Sequence, residues 1–439
     1  MKADGTIDKY KARLVVKGCS QKAGQDYDEV YSPVVRYESI RIVLAIATSK
    51  DYEVVQFDIK TAFLYGDLDE TIYMDQPTGF EDDTEKVCLL LRNLYGLKQA
   101  PKQWNKRMDT FLRKFHLEPT SYDPCVYTTV DGDLIVTLYV DDGLVVGSSM
   151  IKINELINEM KREFEITTST TNCYLGLEIV RDRTTKTMII HQSAYARNVI
   201  KKFQMHNGNK VAMPADPNII LQRNISEDGH IVERINVPYR QLIGSLMYLA
   251  IGTRPDISYI VNKLSQFLEC PSSVLDAAKR ILKYLKGSVT LGLRFKASEA
   301  QNVLTTFSDA DYAACVDLRR SISGVLIMLN DGPVFWCSRK QSTMATSTTE
   351  AEYMAAFEAA KEIVWARGLL NCLGANQTKP TKLYIDNAAA ECLIKNSMSH
   401  RCTKHLDIKF HFTRDLVNQK KIEVLHVSSS NQKADKTFG

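Results

Sequence analysis

The chain has 439 residues, 44% of them hydrophobic and 25% charged, with a formal net charge of +4. That length exceeds one ordinary core and predicts two or three domains of a soluble globular protein, mildly basic and compatible with nucleic acid. No apolar run approaches a membrane span and the first residues lack a signal-peptide core. The ten cysteines show neither CxxC pairs nor zinc spacing, which predicts buried, reduced thiols in an intracellular protein. Phosphate-loop, dinucleotide and HExxH motifs are absent.

In chain order, residues 39–50 have helical spacing, and 53–66 read as a strand leaving into a helix or turn. An amphipathic helix follows Pro101, with Trp104, Met108, Phe111, Leu112 and Phe115 on its apolar face. Residues 133–149, "DLIVTLYVDDGLVVGSS", read as a hairpin folded around Asp141-Asp142-Gly143, because Asp-Gly is a strong turn dipeptide. Residues 187–205 and 239–286 read as helical, separated by a polar linker at 214–238. From about 300 strands come first, with helices after and between them, which predicts a separate α/β domain able to fold alone.

The acids carry the chemistry. Asp58 ends an apolar strand, where it serves either as a cap or as a ligand. Asp141 and Asp142 interrupt an apolar run with two adjacent like charges. Turn chemistry explains one of them; a divalent cation explains both. If the Asp58 strand lies beside the hairpin, three carboxylates converge, as two-metal phosphoryl transfer requires, and oxygen ligands favour Mg²⁺ or Mn²⁺.

"YVDD" after a strand, "QFDIKTAFLYGDL" upstream and "NLYGLKQAPKQWN" between them resemble the reverse transcriptase of copia-type LTR retrotransposons. "DKYKARLVVKGCSQKAGQDYDEVYSPVVRYESIR" is similar to that family's fingers. "IYMDQPTGF", "CYLGLEI" and "PYRQLIGSLMYLAIGTRPDISYIVNKLSQF" match its later segments, so the resemblance covers nearly the whole chain. It implies an α+β and α/β multidomain fold: a right-hand polymerase of fingers, palm and thumb followed by a ribonuclease H-like α/β domain. The expected boundaries are fingers and palm at 1–185, a mainly helical thumb or connection at 186–298, and the ribonuclease H-like domain at 299–439.

By this resemblance Asp58, Asp141 and Asp142 are the polymerase metal carboxylates, each site taking two Mg²⁺ or Mn²⁺ ions. Phe63 is the steric gate against a ribose 2′-hydroxyl, or else a core Phe. Lys11 and Arg13 meet the incoming triphosphate, or else form a solvated basic face. Gly96 and Lys98 lie under the nascent base pair and template, and 174–179 form the primer grip. Asp309, Glu350, Asp386 and Asp435 follow the order of the ribonuclease H acids. Ser347–Glu350 and Thr349–Glu352 each also fit a capping box. Residues 395–414 are basic, either a solvated face or a contact to hybrid phosphates.

The implied function is RNA-directed DNA polymerase with ribonuclease H. The implied partners are RNA template, DNA primer, RNA/DNA hybrid, dNTPs, a gag particle and integrase, with no membrane. The implied location is cytoplasmic, in a virus-like particle, or nuclear. The chain begins inside the fingers, shows Ala314 and Cys315 after "SDADYA", and stops four residues after Asp435. These departures support an alternative, a catalytically impaired, truncated relic that keeps the fold and nucleic-acid binding.

Overall fold

The computed structural model describes residues 12–82, 84–216, 219, 221, 238–297, 302–315, 318–395 and 407–435. Lys11 and most of the basic stretch at 395–414 lie outside them. The first half contains α1 (Tyr37–Ser49), β1 (Glu53–Ile59), β2 (Tyr73–Met74), β3 (Cys88–Leu89), α2 (Ala100–Arg113), β4 (Glu118–Pro119), β5 (Val126–Thr128), β6 (Leu134–Tyr139), β7 (Asp142–Gly147), α3 (Met150–Glu163) and β8 (Ile166–Thr170). Then come β9 (Cys173–Tyr174), β10 (Leu177–Asp182), β11 (Thr187–His191), α4 (Ser193–Lys202), α5 (Tyr239–Gly252), α6 (Ser258–Ser265), α7 (Leu275–Gly287) and β12 (Leu293–Lys296). The last are β13 (Leu304–Asp311), β14 (Ile322–Leu329), β15 (Gly332–Lys340), α8 (Thr348–Cys372), β16 (Thr381–Ile385), α9 (Ala388–Lys395), α10 (Asp407–Asn418) and β17 (Ile422–His426).

The chain divides into two compact units, one holding residues up to Arg36 and Glu53–Thr170, the other Tyr37–Tyr52 and Thr171 onward. The boundary expected at 185/186 instead falls in the turn of a hairpin, β10–β11, whose arms pair from Glu178↔His191 to Asp182↔Thr187.

The first unit is built on a six-stranded sheet in the order β4-β5-β6-β7-β1-β8. Helix α2 starts with Pro101 in its first turn, where no N–H is missed. Its Trp104, Met108, Phe111 and Leu112 recur at helical spacing and are buried against Phe57, Val136, Val145 and Phe164.

The second unit holds a four-stranded antiparallel sheet, β12-β11-β10-β9, and a five-stranded sheet, β15-β14-β13-β16-β17. In the latter β13, β14 and β15 are antiparallel, whereas β13, β16 and β17 run parallel. Parallel pairing needs a crossover, supplied by α8 and then by α9 and α10. A helical core joins α5, α6 and α7 through Leu246, Val261, Leu264, Ile281 and Leu285. Residues 187–191 correct the helical reading: "TMIIH" pairs with β10 and β12, and the helix begins only at Ser193.

Mixed helix and sheet therefore agree with the α+β and α/β expectation. Cys125 and Cys270 are buried, as expected, whereas Cys19, Cys173 and Cys392 are exposed. No helix among the described residues is long and apolar enough to cross a membrane.

Candidate active sites

Strands β1 and β7 lie side by side, antiparallel, with Asp58 directly opposite Asp142. Tyr139 pairs with Asp142, so the hairpin loop is only Val140 and Asp141. This corrects the Asp-Gly turn. Gly143 is a strand residue, where a Cβ would stand 2.1 Å from the Phe57 ring of β1. The glycine is needed for that close approach, and the turn moves back onto Val140 at φ +60°. A β-branched residue is strained there and persists only if its surroundings hold it. Two donors do so: the Ile59 N–H gives to the Asp141 carbonyl (2.8 Å) and the Trp104 indole N–H to the Val140 carbonyl (2.6 Å). Burial, then the charges of Asp141 and Asp58, push the Asp142 carboxyl up to about 6.

A second set of acids lies at the strand ends in the middle of the five-stranded sheet. Asp309 on β13, Glu352 on α8 and Asp386 just after β16 bring carboxylate oxygens within 4.8 Å of one another. Among the described residues this is the set tight enough to hold a metal ion; Asp58, Asp141 and Asp142 are more open. Glu352 accepts from the Ala310 N–H at 3.0 Å. Burial first, then neighbouring carboxylates, push Asp309 and Glu352 well above the usual carboxylate range. Three acids this close favour protonation unless a cation offsets their charge.

Glu350, the residue expected here, is not in the cluster. Its carboxylate accepts from the Thr346 N–H at 2.8 Å, and its own N–H donates to the Ser347 hydroxyl at 3.1 Å. It caps the helix, and Glu352, about 200° further round, faces β13. Asp435 is carried to the same strand ends by buried Gln432, which donates to the Ser308 carbonyl at 2.8 Å. Burial, then Asp386 and Asp311, raise the Asp435 carboxyl. The Ser429 hydroxyl donates to Asp386 at 2.8 Å, and the His426 ring donates to the Asp386 carbonyl at 3.1 Å.

Residues 1–217 match the family model described as reverse transcriptase (RNA-dependent DNA polymerase). The retrovirus-related Pol polyprotein from transposon TNT 1-94 of Nicotiana tabacum is 41% identical over 99% of this chain and 33% of its own length. A transposon Ty5-1 protein of Saccharomyces cerevisiae is 32% identical, over 70% of this chain and 100% of its own length. The chain belongs to the copia-type retrotransposon Pol family. This Pol chain spans about a third of the tobacco relative, and 29% and 30% of the Pol polyproteins from transposons RE1 and RE2 of Arabidopsis thaliana. Among solved structures, a foamy viral protease-reverse transcriptase in complex with an RNA/DNA hybrid covers 91% of this chain and 46% of its own. Its TM-score of 0.48 at 12% identity is too slight a likeness to carry an argument.

In this copia-type chain Phe63 sits on the 3₁₀ turn Ala62–Tyr65 immediately after β1, its ring 4.7 Å from that of Tyr95. The Arg13 guanidinium lies 5.3 Å over the same Tyr95 ring. Burial raises the Tyr95 hydroxyl; Asp141 and Asp58 raise it further, against Arg13. Tyr95 thus stands among Arg13, Phe63 and the acids, a residue that sequence reasoning passed over. The signal was its place in "NLYGLKQAP", next to the two residues singled out.

Those two have holding roles in the first unit. Gly96 takes φ +99°, and a Cβ there would meet the Val16 carbonyl at 2.0 Å. The Lys98 ammonium donates to the Tyr27 hydroxyl at 3.0 Å and lies 4.7 Å over its ring. Residues 174–179 form a tight hairpin in the second unit, with Leu175 and Gly176 both at positive φ and the Tyr248 hydroxyl donating to the Leu175 carbonyl (2.9 Å).

Proposed function

We propose that this Pol chain is an RNA-directed DNA polymerase with ribonuclease H activity on RNA/DNA hybrids. One observation carries the reading: Asp58 faces Asp142 across β1 and β7, beside a clamped turn that bears Asp141. Membership of the family makes phosphoryl transfer the chemistry such a constellation serves. Asp58, Asp141 and Asp142 would hold divalent cations, Mg²⁺ or Mn²⁺ and two per site; Asp309, Glu352, Asp386 and Asp435 would hold those of the second site. When bound, such ions activate the attacking oxygen and neutralise the leaving one.

The chain's own residues then divide the work. The primer 3′-hydroxyl attacks the dNTP α-phosphate and pyrophosphate leaves. Phe63, packed at a tilt against Tyr95, fills the space an extra 2′-hydroxyl would need. Arg13, held over Tyr95, offers its charge to the triphosphate, where cations offset developing charge. Burial and the neighbouring carboxylates raise the Glu352 carboxyl, so its service as a ligand would be coupled to release of a proton. RNA template, DNA primer and hybrid are the substrates of this reading, with the gag particle and integrase as assembly partners and a cytoplasmic particle or the nucleus as the location.

Primer extension on an RNA template, with a Mg²⁺ titration, tests it. Extension that is abolished by Asp141→Asn is the expected result. No extension by the wild-type chain, together with salt-dependent RNA binding, would instead favour the relic alternative.

A further inference from the structure

The segment "RPDISYIVNKLSQF" has no part in the chemistry above, yet its helix forms one wall of a cavity at the ribonuclease H acids. The cavity holds about 470 Å³, within the ~300–1,000 Å³ range of sites that take a small organic ligand. Asp309 and Asp435 line one side. Tyr259 and Lys263 of α6, with Ala277 and Arg280 of α7, line the other. The Tyr259 hydroxyl donates to Asp311 at 3.2 Å, and Asp311 lies two residues beyond Asp309 on the same face of β13. That bond fixes α6 against the acidic strand ends.

Lys263, one helical turn after Tyr259, places its ammonium 3.3 Å from the Tyr259 hydroxyl and 5.4 Å from its ring centre. An ammonium has three donors and the phenol takes one. Arg280 is committed to a carboxylate, Asp216 at 3.3 Å, whereas among the described residues the Lys263 ammonium has only the phenol as hydrogen-bond partner and keeps donors for a ligand. Carboxylates on one wall, and a cation, an aromatic ring and aliphatic carbon on the other, match the parts of one nucleotide. Its phosphate meets the ammonium, and its sugar and base meet ring and aliphatic surface.

We propose that this cavity is a subsite for one nucleotide of the strand being cut, next to the phosphate at the acids, with Lys263 on its phosphate and Tyr259 against its sugar or base. The proposal rests on the ribonuclease H reading. It gives the helical segment between polymerase and ribonuclease H motifs a direct part in holding the hybrid.

The test uses the full chain. Hybrid binding is measured by fluorescence anisotropy in an Asp386→Asn background, and hydrolysis kinetics in the wild-type background. Lys263→Gln, and Ala277→Leu as a cavity-filling variant, should each raise the hybrid Kd and KM about tenfold. Hydrolysis kcat should stay within twofold and primer extension should not change, with melting curves checking the fold. Unchanged Kd and KM in both folded variants would overturn the proposal. A competing arm uses free 5′-AMP: if the variants weaken AMP and leave the hybrid untouched, the cavity is a free-nucleotide site and the proposal fails. If the wild-type chain cuts no hybrid, the ribonuclease H reading fails by itself, and the anisotropy arm still decides whether the cavity holds the strand.

Discussion

The Trp104 indole is buried, packed edge-on against Phe164 with centroids 5.5 Å apart, and its N–H ends on the Val140 carbonyl. One side chain therefore fills the core of the first unit and pins the strained turn that carries Asp141. Trp104→Phe keeps most of the ring packing and removes the donor. It leaves a carbonyl unsatisfied, at a cost of about 1–3 kcal/mol that falls on the turn. The expected outcome is a roughly tenfold higher Mg²⁺ half-saturation in primer extension, with a melting temperature only a few degrees lower. Phe164→Leu should do the reverse, lowering stability by core loss and leaving the Mg²⁺ dependence alone. A Trp104→Phe enzyme with wild-type Mg²⁺ dependence would show that the hydrogen bond positions nothing.

At the scale of elements, α8 and the β6–β7 hairpin show what sequence patterns resolve. Alternation in "DLIVTLYVDDGLVVG" reveals two strands but not their register, because Gly143 satisfies a turn signal and a close approach equally well. "STTEAEY" reveals a helix start, but Glu350 and Glu352 each stand three residues after a Ser or Thr. Only a tertiary contact, the Ala310 N–H on Glu352, separates cap from cluster. The short strand 187–191 was illegible for a similar reason, since five residues cannot distinguish the two periods. The capping role and the cluster role differ in their response to pH. Glu352 and Asp309 titrate higher folded than unfolded, so they bind extra protons in the native state. Their contribution is fully present below the ordinary carboxylate range and is lost as pH rises through the raised folded values. Metal-free protein should therefore melt at progressively lower temperature from pH 5 towards alkaline pH, and Mg²⁺ should restore most at the alkaline end. Glu352→Gln should flatten that slope and abolish hybrid hydrolysis. Glu350→Gln should keep the slope and the hydrolysis, at a loss of about 0.5–2 kcal/mol in capping. A flat slope in Glu350→Gln, or hydrolysis by Glu352→Gln, would reverse the assignment.

Over the whole molecule, the motif order points to two sets of acids on one chain, but not to which segments fold together. Helix α1 was legible as a helix; its placement with the second unit was not, because nothing local marks which sheet a buried helix will cover. Ile40, Ile42, Val43, Leu44 and Ile46 are fully buried, and Arg41 threads through the same core. The Arg41 guanidinium donates to the Val334 carbonyl of β15 at 2.8 Å and lies 4.0 Å over the Trp336 ring. Trp336 in turn donates to the Ala250 carbonyl of α5 at 2.8 Å. Strand β15 of the five-stranded sheet is thus covered by segments from outside residues 299–439. At about 1.5–3 kcal/mol for each buried aliphatic side chain, the five of α1 contribute roughly 10 kcal/mol. That is the scale of a domain's entire stability, ~5–15 kcal/mol. A fragment of residues 299–439 should therefore lose cooperative melting, bind a hydrophobic dye through the uncovered Val334 and Trp336 face, and fail to cut a hybrid. In the full chain, Arg41→Leu should weaken the same face, because it removes the donors to the Val334 and Ile251 carbonyls while keeping apolar bulk. A fragment that melts cooperatively within a few degrees of the full chain would show that the sheet stands alone and that α1 merely rests on it.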